Sequence, residues 1–410
     1  MNIENNQFKI QGVSVEELVE NYGSPVYVYN TDTIASQIDR LKQAFKGQNL
    51  KLKYAIKALT NLSILKFIKS QGVGADVVSI QEVDMALLAG WKAEEILYTP
   101  NCVAFDEVKA GVDKGVFINI DNLYILEEFG KEYGNEVPCC IRINPHIMAG
   151  GNTKISTGHV GSKFGISIHQ LNEVVEVVNQ YNIDLQGLHI HTGSDILDAE
   201  VFLKMADILF NTAEKFKNIK FLDFGSGFKV GYKQDDITTN IEELGERLGE
   251  AFTKFCKKIG KELELWFEPG KFLVSDSGTM LAKTNVVKTT PAKVFVGVDS
   301  GLNHLIRPMM YNAFHAIINA SNPAGKERVY TIVGNICETD TFGEDRLMHE
   351  VRQGDIIAFK NAGAYGFSMA SNYNSRFRPC EVMVHKGKAH LIRKREVFED
   401  LIKNQVVIDL

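Results

Sequence analysis

Apolar runs of four to seven residues alternate with amphipathic helical stretches through the first two thirds of the chain. The strand-like runs are LKYAIK (52–57), ADVVS (75–79), ILYT (96–99), VFINID (116–121), CCIRINP (139–145), QGLHIH (186–191), FLDFG (221–225) and ELWFEPG (264–270). Between them, stretches such as NLSILKFIKSQG and SIQEVDMALLAG carry apolar residues at helical spacing. The second opens on Ser79, has Glu82 three places on as in a capping box, and closes near Gly90. Eight strand-helix units in series predict a (β/α)8 barrel.

From about Thr279 the pattern changes to TNVVKTT, KVFVGVDSG, RVYTIVG, DIIAFKNAGAYG and CEVMVHKGKAHLIR, strands punctuated by Gly, Asn, Asp and Pro without long helices between them. An all-β domain, sandwich or barrel, is expected there. The extended YGSPVYVYN (22–30) precedes the first barrel strand, so residues 1 to about 26 are expected to pair with this C-terminal sheet. The predicted organisation is a barrel over 27–275, with 1–26 and 276–410 forming the β domain; 410 residues suit two such cores.

Charge narrows the partners. The formal charge of −6 comes from interspersed acids and bases, and no basic, aromatic-rich stripe is present, which argues against nucleic acid. MNIENNQFKI is polar and no apolar run reaches membrane-spanning length, so a cytoplasmic protein without a membrane partner is expected. Cysteines 102, 139, 140, 256, 337 and 380 are scattered, with no CxxC and no HxxxH. Neither a disulfide framework nor a metal site is expected.

Barrels of this type carry their chemistry at the C-terminal rim. In strand order that rim offers Lys57, Asp76, Thr99, Asp121, Arg142 with Asn144, His189 with His191, Asp223 with Gly225, and Glu268. Lys57 follows an apolar strand, where partial dehydration favours the neutral amine that carbonyl chemistry needs; the alternative is a lysine that snorkels to water. DFGSGF (223–228) sets Gly225 and Gly227 around Ser226, either a phosphate cradle or simply a tight turn. In FEPGK (267–271), Glu268 either keeps a cofactor nitrogen protonated or pairs with a lysine.

A strand-end lysine, a glycine turn and a rim carboxylate are the three requirements of a pyridoxal phosphate site. With KYAIKA, GADVVSIQE, ISTGHVGSKFGI (155–166), GLHIHTGSDI, LDFGSGF, EPGK, LIRPMMY, NICETDTF and NAGAYGFSMASNYNSRFRP, the chain resembles the fold-type III, alanine racemase-like barrel decarboxylases, and among them the diaminopimelate decarboxylases. The resemblance spans about residues 25 to 385. It implies that Lys57 carries the cofactor covalently and that His191 stacks on its ring. Ser194, Gly225, Ser226, Gly227 and Tyr365 contact its phosphate, and Glu268 meets its ring nitrogen. Asp76, Pro269, Gly270 and Lys271 complete the cofactor set. Lys271, Arg307, Tyr311, Glu338 and Tyr365 are implied to bind substrate. Cys337 is implied to be the acid, reaching in with Glu338 from a second subunit, so that Lys57, Cys337, Glu268 and His191 form the catalytic group of a homodimer with shared sites.

The implied reaction is decarboxylation of meso-diaminopimelate to L-lysine and carbon dioxide, the last step of lysine biosynthesis. The substrate's distal amino acid centre offers a carboxylate to a guanidinium and an ammonium to a carboxylate, which favours it over ornithine, although an arginine on a loop is also compatible with a surface role. A same-fold decarboxylase of ornithine, arginine or a carboxylated polyamine is the nearer alternative, and a non-catalytic binding protein the farther one. Lys271 departs from the usual EPGR, keeping the charge but losing the bidentate fork.

Overall fold

The computed structural model describes residues 2–4, 7–147 and 157–410. Ile155 and Ser156, at the start of the ISTGHVGSKFGI loop, lie outside the described residues. The chain divides into two compact units, one of residues 35–231 and 237–272, the other of residues 1–34, 232–236 and 273–410.

The first unit is built on a barrel of eight parallel strands, β1 (Leu50–Ala55), β2 (Gly74–Val77), β3 (Ile96–Tyr98), β4 (Phe117–Ile120), β5 (Cys139–Asn144), β6 (Leu185–Ile190), β7 (Phe221–Asp223) and β8 (Glu264–Phe267), with the short Ile166–Ser167 pairing in parallel with β5. Each barrel strand pairs with the next, and β8 returns to β1 through Leu265 opposite Leu50, closing the barrel. Strands buried on both faces need near-continuous apolar runs, and in β5 every residue is buried. Helices start where the sequence places caps. Asn61 accepts from Ser63 N, and Ser79 accepts from Glu82 N while Glu82 reaches back to Val78 N. Gly90 ends the latter helix at φ +100, which suits a residue without Cβ.

The second unit is rich in β structure. Its main sheet runs in the order Thr341–His349, Glu327–Val333, Val294–Val298, Gly278–Thr289, Val26–Asn30, Cys380–His385, Lys388–Arg393. Ile356–Phe359 also pairs with Gly278–Thr289 and with Ile317–Asn319. Val26–Asn30 therefore sits inside the sheet, antiparallel to Gly278–Thr289 and parallel to Cys380–His385. Val26, Val28, Leu281, Ala358, Val382 and Val384 share one core. The expectation that residues 1 to about 26 join this sheet needs revision: Asn2–Glu4, Gln7–Ile10 and Val13–Ser14 form a small sheet of their own. VYVYN is long and apolar enough for a central strand, whereas the earlier strands have only two to four residues each, although Ile10 and Val13 pack on the same core. No described helix is long and apolar enough to cross a membrane, and all six cysteines are free thiols.

Candidate active site

Barrel closure gathers the rim residues. β1 ends at Ala55, and Lys57 occupies the single helical turn Ile56–Ala58 that follows. Its side chain is 42 % exposed in the single chain, so the dehydration expected of it is not observed; it lies in the turn rather than in the strand. Its Nζ is 3.5 Å from Asp76 Oδ2 on β2. Asp76 is buried, and burial together with the nearby Glu268 pushes its carboxyl up to about 7.

The EPG turn packs on the same corner. Pro269 O accepts from Ala55 N at 3.4 Å, and a Cβ at Gly270 would lie 3.1 Å from that of Ala55. Glu268 N donates to Gly225 O at 2.6 Å, tying this turn to the DFGSGF turn. Glu268 is buried. Burial opposes its ionisation, but the charge of His189, aided by Lys57 and His191, outweighs that and holds the carboxyl at about 2.

The glycine turn is built for close approach. Gly225 and Gly227 have φ of +59 and +101. A Cβ on Gly225 would meet His191 Nδ1 at 2.7 Å, and one on Gly227 would meet Gly193 O at 2.2 Å. Ser226 N donates to His191 Nδ1 at 3.3 Å, which leaves the proton of a neutral imidazole on Nε2. Burial, then the charges of Arg142 and Lys57, push His191 well below its ordinary range. Ser194 stands half-buried in the adjoining turn. Lys271, almost enclosed, pairs through Nζ with Asp195 Oδ1 at 2.5 Å. Its charge already has a carboxylate partner within the chain.

Several polar residues here went without an assigned role in the sequence reading. Arg142 is buried, its guanidinium 4.7 Å from the Phe164 ring centroid. His189, Asn119 and Asp223 are buried in the barrel interior. A lone asparagine inside the apolar FINI strand was the available signal for Asn119.

In the β-rich unit, Arg307 opens the short helix Arg307–Tyr311 and is buried. Its Nη2 donates to Tyr232 OH at 3.2 Å, and its Nε has no hydrogen-bond partner. Tyr232 comes from the YKQDD turn, which carries no periodic signal, and sequence reasoning missed it. Tyr311 is half-buried at the end of that helix, and Tyr365 is half-buried with φ +56, a strained backbone for an aromatic residue. Cys337 and Glu338 are exposed side by side. Asn374 Nδ2 donates to Cys337 Sγ at 3.1 Å and Tyr373 OH donates to Glu338 Oε1 at 2.8 Å.

Three comparisons bear on this arrangement. The family described as pyridoxal-dependent decarboxylase, pyridoxal binding domain, matches residues 31–275. A diaminopimelate decarboxylase of Methanothermobacter thermautotrophicus is 36% identical over 408 residues, 97% of this chain and 95% of that protein; one of Bacillus subtilis is 35% identical over 96% and 94%. The crystal structure of diaminopimelate decarboxylase from M. jannaschii in complex with L-lysine superposes with a TM-score of 0.90 at 32% identity, covering 99% of this chain and 98% of the other.

Proposed function

Since this chain belongs to the pyridoxal-dependent decarboxylases and, among them, to the diaminopimelate decarboxylases, we propose that its barrel rim holds pyridoxal phosphate for the removal of carbon dioxide from meso-diaminopimelate. The protein is a decarboxylase that converts diaminopimelate to lysine. The rim fits the cofactor. A buried, ionised Glu268 calls for a cationic partner, and glycines with positive φ leave room for a phosphate against the backbone. Pyridoxal phosphate, when bound, supplies an electron sink for the pair left by the departing carboxylate.

The chain's own residues divide the remaining work. Lys57 Nζ is the covalent anchor. Glu268 holds a proton on the ring nitrogen by staying ionised, and His191, its tautomer set by Ser226 N–H, lies against the ring. Ser194, Gly225, Ser226, Gly227 and Tyr365 bind phosphate, with Asp76, Pro269, Gly270 and Lys271 shaping the corner. Cys337 Sγ delivers the proton to the α carbon, and its exposure beside Glu338 favours delivery into the site of a second copy in a cytoplasmic homodimer.

One observation carries the choice of substrate: the buried Arg307 guanidinium keeps Nε unsatisfied, as suits a group awaiting a distal carboxylate, with Tyr311 and Glu338 for the rest of that end. Incubating the purified protein with pyridoxal phosphate and meso-diaminopimelate, ornithine or arginine tests it. Lysine and carbon dioxide from the first alone are expected; faster turnover of ornithine overturns the reading.

A further inference from the structure

Glu268 has a second carboxyl beside it. Asp223, at the end of β7, is buried, and ligand atoms of His189, Asp223 and Glu268 all lie within 4.8 Å of one another. Two carboxyls so close and so dry do not both ionise at low cost. Asp223 has a backbone donor, and Glu268 has His189 close by, its Nε2 within ion-pair distance but not aligned as a hydrogen bond. Gly225 N donates to Asp223 Oδ1 at 2.8 Å, and His189 Nε2 lies 3.2 Å from Glu268 Oε2. The oxygens left over, Asp223 Oδ2 and Glu268 Oε1, are buried without a partner. One proton between them satisfies both.

His189 decides where that proton sits, and it is itself held. Asn119 Nδ2 is 2.8 Å from His189 Nδ1 and also donates to Thr99 Oγ1 at 3.2 Å. An amide N–H facing Nδ1 makes that nitrogen an acceptor, so a neutral imidazole carries its proton on Nε2, the nitrogen 3.2 Å from Glu268 Oε2. Lys53, Lys57, Asp76, Cys140, Arg142 and His191 also act on this cluster. Burial and then Glu268 push Asp223 well above its ordinary range, and burial pushes His189 down. Both directions agree with the geometry.

We propose that Asn119 and His189 form a positioning pair that assigns the single negative charge of the Asp223 and Glu268 carboxyls to Glu268, leaving Asp223 a neutral acid that donates to it. The inference rests on Glu268 as the partner of the ring nitrogen and deepens that role, since such a partner must be ionised. The test is infrared spectroscopy of the holoenzyme near neutral pH, which sees the carbonyl stretch of a protonated carboxyl directly. The wild-type minus Asp223→Asn difference, which cancels the band of the Asp76 carboxyl, should show that band and its shift in heavy water; asparagine keeps the acceptor for Gly225 N–H. In His189→Leu and Asn119→Leu the band should move as the proton redistributes toward Glu268. The absorbance of the bound cofactor should change with it, and kcat should fall roughly ten- to hundred-fold, the worth of one hydrogen bond to a charged group, with little change in KM. His189→Gln, which retains an N–H donor, should recover part of the loss. Absence of a protonated-carboxyl band from that difference, or its invariance in His189→Leu, overturns the proposal. Should His189→Leu not fold, wild type against Asp223→Asn still decides. A band that behaves as expected while Glu268→Gln turns over normally would instead reject Glu268 as the ring partner.

Discussion

Gly227→Ala should cripple cofactor binding while Gly260→Ala should not, although both glycines have positive φ, +101 and +66. Forcing an L side chain into such a backbone costs roughly 1–2 kcal/mol at either position. At Gly260, the C-cap of Ile241–Ile259, the new Cβ meets nothing within 4 Å, so the cost stops there. At Gly227 the Cβ would stand 2.2 Å from Gly193 O and 2.9 Å from Ile196 Cδ1, far inside the roughly 3.5 Å at which carbon contacts become favourable. The two turns must part by about 1 Å, yet Ile196 N–H donates to Gly227 O at 2.8 Å and Ile196 bridges to Phe228. A displacement of about 1 Å in a positioned site costs on the order of 10²-fold. Titration of the apoproteins with pyridoxal phosphate should therefore give a Kd about 10²-fold weaker for Gly227→Ala and unchanged for Gly260→Ala. Calorimetry should show Gly260→Ala melting only a few degrees lower. Wild-type affinity in Gly227→Ala, or an equal loss in both, would refute the close-approach reasoning.

Borohydride reduction of the holoenzyme followed by peptide mapping should label Lys57, and Lys57→Ala should abolish the label; a different labelled lysine removes the anchor assignment. Lys57→Ala and Cys337→Ala should each be nearly inactive alone, and subunit exchange between them should restore about a quarter of wild-type activity, because half the dimers are mixed and each has one intact site. Exchange without recovery would mean that Cys337 serves its own chain. His304 and His315 are both pushed by burial from 6.5 to about 4. At these two sites the unfolded chain takes up protons below 6.5 that the folded one refuses, so their contribution to stability should be flat above that pH and fall as pH drops toward 4, whereas Asp76, raised to about 7, contributes the opposite slope. The loss is up to about 3 kcal/mol per histidine, and the difference between wild type and His315→Gln in denaturant titrations at each pH isolates the share of His315. A slope unaffected by the substitution would place the titration elsewhere.

The eight barrel strands were legible because a parallel strand covered on both faces must be apolar throughout, and each ended on a polar rim residue that broke the run. Helix starts at Asn61 and Ser79 were visible for the same local reason, a side chain that caps free N–H groups. Connections between distant segments were not. Nothing local in YKQDD tells that Tyr232 meets Arg307, and nothing near EPGK announces Asp195 as the partner of Lys271. His189 was readable as a rim residue, but its role depends on Asn119, 70 positions earlier, and on Asp223, contacts set by barrel closure alone. The dehydration expected of Lys57 failed because a strand-end position does not fix which way the following turn exposes its side chain.

Val26–Asn30 lies between Gly278–Thr289 and Cys380–His385, so this strand finds its two neighbours only about 250 and about 350 residues further along the chain. At about 5–20 residues per second, synthesis takes on the order of tens of seconds to reach the first partner and longer to reach the second. The barrel, nearly continuous in the chain, can close during that interval, whereas VYVYN must wait with both edges unpaired. An apolar strand in that condition is a template for other nascent chains. Yield in a translating cell should thus respond to chaperones that shield this segment, even where purified protein of the same sequence is stable.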